Sequence, residues 1–364
     1  MEQATRGPRY LAARITAERV HPRFARLQNN GAAVPGIDEI ESLIDAGFWA
    51  SLRREESYSP KISLAFLAPT DAGISLTFER PLALTPEALA RLASAAERPG
   101  IHLGVWRDQD QLRVWGATRA IPAFCFVLEV IAPGLVVIKY RRQDADAKFV
   151  NVVVIEGDSV KVLDPDAPAL PGFNHSRTPE SAGVLVELAV SMRSHQRGGA
   201  LLVVPAGNET WRESIRHPIQ YSVSPGFAHL SELIGEPAGA RAARRWQDAF
   251  HRTVEAIAGL TAVDGATVIT DRFEVLAFGA KISRRDGFPT TENVMLDEPV
   301  EGFEPHVVPT MQTGGTRHIS AAQFAGDQPG SAAMVASQDG RFTVFAWSER
   351  DAMVRAHRVD SLLL

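Results

Sequence analysis

Apolar residues in "GIDEIESLIDAGFWASL" fall at Ile37, Ile40, Leu43, Ile44, Phe48 and Leu52, the three- and four-residue spacing that predicts one amphipathic helix. The period then shortens. "KISLAFL", "GISLTFE", "IHLGVW", "QLRVWG", "FCFVLEV", "GLVVIKY", "KFVNVVVIEG" and "SVKVLD" are short runs of branched and aromatic residues punctuated by Gly, Pro and Asp, which predicts strands. A helix "TPEALARLASAAE" interrupts them, with Thr85 ahead of Pro86 as its start signal. Residues 36–165 therefore read as a smaller α+β domain of mostly antiparallel pairs, preceded by an N-terminal arm over 1–35.

The proline-rich "DPDAPALPGFNHSRTPES" ends that pattern, and a linker is expected at 166–178. Beyond it helices alternate with buried strands: "ESAGVLVELAVSMRSHQ", then "GALLVVPA", a helical "SPGFAHLSELIG" and a long helix "AGARAARRWQDAFHRTVEAIAGL". Ala242, Trp246, Ala249, Phe250, Val254 and Ile257 line one face of the last. "DGATVITD" pairs through a turn at Asp271 and Arg272 with "FEVLAFGAKI"; after a long loop, Lys281 to Thr313, a short helix precedes a hairpin of "SAAMVAS" and "RFTVFAW". Residues 179–350 are expected to form an α/β domain with a mixed central sheet and flanking helices, followed by a tail over 351–364.

Composition changes this picture little. Of 364 residues 45% are hydrophobic and 22% charged, which is ordinary globular usage, and a net charge of −5 argues against nucleic acid as a partner. No apolar run reaches the ~20 residues of a membrane span, and the N-terminus lacks a signal-peptide core, so a cytoplasmic protein with no membrane partner is expected. The single cysteine, Cys125, sits among apolar neighbours and reads as a buried small hydrophobe. Trp211, Arg212, Arg216 and His217 in "NETWRESIRHPIQY" read as packing under a loop, with stacking on a base or reaching a phosphate as the alternative.

Chemistry concentrates near the C-terminus. In "GGTRHISAAQFA", Thr316 is a natural helix N-cap, so free N–H groups of the first turn point outward as an anion site. Gly314 and Gly315 let a ligand approach the backbone, Arg317 adds a planar fork suited to phosphate, and His318 adds a second donor. A cap and a surface ion pair would explain the same residues equally well. A lone Asp264 in "DGA" makes no metal site without partners.

The order "VDGATVITDRFEVLAFGAKI" followed by "GGTRHISAAQFAGDQPGSAAMVASQDGRFTVFAW" resembles the diadenylate cyclase (DAC) domain, which joins two ATP molecules into cyclic di-AMP across a face-to-face dimer. An α+β domain ahead of a DAC-like domain with "GGALLVVPAGNETWRESIRHPIQY" resembles the DACNV group of probable nucleotide sensors. The resemblance implies that Asp264 holds a metal or a ribose hydroxyl, with Gly265 and Ala266 keeping the backbone close. It implies that Gly315, Thr316, Arg317 and His318 grip phosphate and that Ser337 faces the same pocket. Mg²⁺ or Mn²⁺ would arrive with the nucleotide, and a homodimer would follow the cyclase arrangement.

Ile319 stands where the cyclase RHR motif has its second arginine, so the motif reads RHI. Losing one donor that stabilises transferring phosphate commonly costs ~10²- to 10³-fold in rate, while ground-state binding suffers less. The expectation is a sensor of a nucleotide or cyclic dinucleotide that signals to a downstream protein partner; an active diadenylate cyclase is the alternative. The loop after Lys281 is expected to act as a lid or to block dimerisation, or to be surface decoration.

Overall fold

The computed structural model describes residues 9–27, 31–54, 59–109, 111–143, 149–165, 179–241 and 243–364. The chain divides into two compact units, Met1–Pro165 together with the last residue, Leu364, and Asp166–Leu363. Both are mixed α/β, each built on a mixed sheet. The linker expected at 166–178 lies outside the described residues.

In the first unit the helices are α1 (Ala12–Leu27), α2 (Ile37–Ser51) and α3 (Pro86–Ala96). Its strands are β1 (Ile62–Phe66), β2 (Ser75–Ala83), β3 (His102–Asp108), β4 (Gln111–Thr118), β5 (Val127–Ala132), β6 (Leu135–Arg141), β7 (Phe149–Glu156) and β8 (Ser159–Val162). They form one sheet in the order β2-β4-β3-β1-β5-β6-β7-β8, antiparallel except for β1 against β3. Ile40, Leu43 and Ile44 of α2 and Leu89 of α3 bury against Leu64, Leu103, Leu128 and Ile138 on one sheet face. Thr85 caps α3, its Oγ1 accepting the Ala88 N–H at 3.2 Å. Cys125 is buried, and burial pushes its thiol up to about 12, so it is inert packing.

The solvated arm expected at 1–35 is corrected over its described part. Residues 12–27 form α1, and Ala13, Thr16, Ala17, Val20 and Phe24 are buried along one face. Small alanines make that stripe faint beside four arginines, one of which, Arg14, bonds Glu18, Asp38 and Glu41. The face is legible only once α2 and the sheet are present to bury it.

The second unit contains α4 (Pro179–Ser194), β9 (Gly199–Val204), β10 (Tyr221–Phe227), α5 (His229–Gly235), α6 (Ala238–Arg241), α7 (Arg244–Leu260), β11 (Ala266–Thr270) and β12 (Val275–Ala280). It continues with β13 (Asn293–Asp297), β14 (His306–Pro309), α8 (Thr316–Asp327), β15 (Ala332–Ala336), β16 (Phe342–Ser348) and β17 (Met353–Arg358). The sheet runs β10-β12-β11-β9-β15-β16-β17-β13-β14, with β9 and β11 parallel and β13 and β17 parallel. Both faces of its centre are covered. Leu188, Phe250 and Ile257 pack with Leu201, Val203 and Met334 on one side, while Ala321, Phe324 and Ala325 of α8 pack with Leu202, Val204, Val335 and Phe345 on the other. Every residue of β9 is buried, as a continuous apolar run requires. Trp211 is 1% exposed in the second of these cores.

Four sequence expectations change here. "SPGF" belongs to β10, which pairs with β12 through an irregular register between Ser222 and Phe227 that absorbs Pro225. The long helix divides into α6 and α7, because Ala243 is extended and Trp246 is held to α5 by its Nε1–H bond to the Leu233 carbonyl, 2.9 Å. The stretch after Lys281, expected as a long loop, supplies β13 and β14 at a sheet edge. The tail holds β17, whose Val354 and Ala356 enter the core while Arg355 and Arg358 pair with acids.

Candidate functional site

Parallel β9 and β11 start at the same end of the sheet, and antiparallel β12 and β15 finish there: Ala266 lies opposite Ala280, and Ala336 opposite Gly199. Four turns therefore converge, carrying His195–Gly198, Asp264–Gly265, Lys281 and Ser337–Gly340. The start of α8 joins them. A Cβ on Gly198 would stand 3.1 Å from Arg317 Nη1, 3.4 Å from the Ala336 carbonyl oxygen and 3.4 Å from Gln338 Cγ. With φ of +69°, that position takes glycine for both reasons.

Asp264 and Arg317, far apart in sequence, are thus brought to one place. Asp264 is 91% exposed and ion-paired with Lys281. Its carboxyl is held below the usual range by the Lys281 hydrogen bond and charge, with Arg317 adding to the effect. Gly265 has φ of +123°, and a Cβ there would meet the Gly279 carbonyl carbon at 2.4 Å, so the backbone must pass close beneath Asp264. Ala266 is buried and opens β11.

At α8 the cap is Gly315, in extended conformation, and Thr316 is the first helical residue with no side-chain capping bond. The expected Thr316 cap is corrected: Gly315 meets the backbone requirement, and the His318 and Ile319 N–H groups both bond its carbonyl, at 2.9 and 3.2 Å. Thr316 is exposed. Arg317 is half-buried and makes no hydrogen bond or ion pair among the described residues. The carboxylate whose charge it feels in this set of turns is Asp264, already matched by Lys281.

His318 is placed differently from the expected cationic donor. It is 4% exposed, its ring lying edge-on to Phe345 and against the Gly314 backbone. Burial lowers it to about 4, with Arg358, Arg341 and Arg317 lowering it further against Asp339, so it is neutral at pH 7. Its Nε2 has no hydrogen-bond partner among the described residues. Ser337 lies at the same sheet end, half-buried, but its hydroxyl bonds Asp339 within the β15–β16 turn, which holds that carboxyl low.

Among the described residues no three His, Cys, Asp or Glu side chains gather as a metal group, and the Asp264 carboxylate faces a lysine. Lys281 escaped sequence analysis, although the β11–β12 hairpin places it: pairing Ala280 with Ala266 sets the next residue beside Gly265 and Asp264. Trp211 is core, as expected, and Arg212 stacks on its ring at 4.5 Å.

No helix of the described residues is long and apolar enough to cross a membrane. No curated protein matches the chain. Among solved structures it is similar to a hypothetical membrane spanning protein from Bacillus cereus, at 13% identity over 49% of this chain and 63% of that one, with a TM-score of 0.28. The match thus spans less than two thirds of that protein's length, and a superposition this poor carries neither fold nor function. Residues 29–119, within the first unit, match the family model of the probable sensor domain DACNV.

Proposed function

We propose that the chain is a sensor whose second unit binds a nucleotide or cyclic dinucleotide at the sheet end formed by Asp264, Gly265, Ala266, Gly315, Thr316, Arg317, His318 and Ser337, in the manner of a DAC-like domain. The observation that carries this reading is Arg317: a half-buried guanidinium without a hydrogen-bond or ion-pair partner among the described residues, in the first turn of α8, where free N–H groups favour an anion. A phosphate oxygen supplies what the guanidinium lacks. The buried His318 Nε2 adds a second unmatched nitrogen in the same turn. The match of residues 29–119 to a probable sensor domain supports the signalling half of the proposal.

Reading is favoured over making. Ile319 is 43% exposed and brings neither charge nor donor where the cyclase pattern has a second arginine. Occupancy of the site would pass to a downstream protein partner in the cytoplasm. Purified protein incubated with ATP and Mg²⁺ or Mn²⁺ should yield no cyclic dinucleotide by mass spectrometry, while calorimetry should detect binding of cyclic di-AMP or ATP. Robust turnover would make the chain an active diadenylate cyclase, and calorimetric silence with every nucleotide would make the sheet end a scaffold.

A further inference from the structure

The cyclase resemblance assigns Asp264 to a metal or a ribose hydroxyl, but in this chain another cation stands beside it. Lys281 leaves β12 at the position the hairpin register sets against Gly265, and its ammonium pairs with Asp264. Arg317 is the second positive neighbour. With the Asp339 and Arg341 pair of the β15–β16 turn cancelling, Lys281 and Arg317 against Asp264 leave a net positive charge, so a bare divalent ion would enter a site that repels it. Among the described residues Asp264 belongs to no group of three or more His, Cys, Asp or Glu side chains that could hold a metal.

We infer that Lys281 takes the place of the divalent cation, so that the site binds a phosphodiester ligand without metal. This rests on the proposed nucleotide site and narrows its ligand class. Each linkage of a cyclic dinucleotide carries one negative charge, which matches the surplus left by Lys281 and Arg317 over Asp264. ATP carries several charges and in the cell comes already complexed with Mg²⁺, whose ion would meet Lys281 and Arg317 head on. Lysine suits this place because it acts as a compact point charge on a flexible stem and reaches both Asp264 and a phosphate. Exposure of both partners leaves the ion pair weak, so ligand can take the ammonium from Asp264 at little cost.

The test is equilibrium binding of cyclic di-AMP in EDTA and in millimolar Mg²⁺, together with titration of Mn²⁺ alone followed by electron paramagnetic resonance. Wild-type affinity should agree within about twofold between the two buffers, and Mg²⁺-ATP should bind at least about tenfold more weakly than cyclic di-AMP. Lys281→Met should weaken cyclic di-AMP binding about tenfold in EDTA, while Lys281→Arg keeps most of it. Mn²⁺ alone should remain free in the presence of the wild type. Loss of wild-type binding on chelation, an unchanged Lys281→Met, or Mn²⁺ bound by the wild type and released by Asp264→Asn would each overturn the inference. If no nucleotide binds in either buffer the proposed function fails, and the Mn²⁺ titration still decides whether Asp264 holds a metal.

Discussion

Arg317 and His318 are neighbours in sequence with opposite environments, and each yields its own expectation. Truncating Arg317 to Ala should weaken a phosphate-bearing ligand by ~1.5 to 3 kcal/mol, the scale of a charge-assisted hydrogen bond, with the melting temperature unchanged. Calorimetry on the two proteins checks it, and equal affinity would place the ligand elsewhere. Ile319→Arg adds a donor fork one residue further on and should tighten binding by roughly 1 to 2 kcal/mol with only trace cyclisation. His318 instead reports on stability. Its folded-state value, about 4, lies below the ordinary 6.5, as does that of His102, which burial lowers to about 4 while Ser63 Oγ sits 2.7 Å from its Nδ1. Both imidazoles take up protons more readily in the unfolded chain. Their contribution is therefore complete above pH 6.5 and is lost as pH falls toward 4, on the order of 2 kcal/mol each. Urea melts at pH 7 and pH 5 should show the loss, and His102→Gln and His318→Gln should each remove part of it. At this scale the sequence disclosed which residues carry charge and which glycines sit beside them. It could not disclose that His318 turns inward onto Phe345, because burial is a property of the assembled sheet.

Among the elements, legibility followed the strength of the period. The strands from "KISLAFL" to "SVKVLD" and helix α2 emerge where their apolar residues predict them, since the strands are short runs of branched and aromatic residues punctuated by Gly, Pro or Asp and α2 keeps a helical spacing. Helix α1 did not, because Ala13 and Ala17 bury a face too small to register. β13, β14 and β17 were missed because four to six residues flanked by Glu, Pro and Arg carry too little alternation; their partners in the sheet decide them. The same registers that set the strands also set the site, through the hairpin of β11 and β12. Gly265→Ala should therefore cost roughly 2 to 4 kcal/mol, since φ is positive and the new Cβ would strike the Gly279 backbone, and it should also move Asp264. Chemical denaturation checks this; an unchanged midpoint would show that the hairpin yields. Trp211→Ala should cost ~3 to 5 kcal/mol by leaving a cavity beneath the loop that "NETWRESIRHPIQY" forms.

For the whole molecule, each unit has its own sheet and its own core, which predicts that residues 1–165 fold when expressed alone, with a cooperative melt and strand-rich circular dichroism. An aggregated fragment without a melt would contradict this. The claim that joins the parts is that ligand enters at one sheet end of the second unit. Hydrogen–deuterium exchange with and without saturating cyclic di-AMP, repeated with ATP, tests it most directly. Protection is predicted at the turns carrying Asp264 and Gly265, Lys281, Ser337 to Gly340 and the first turn of α8 at Thr316 to His318. Protection confined to the first unit, or none with either nucleotide, would contradict the account.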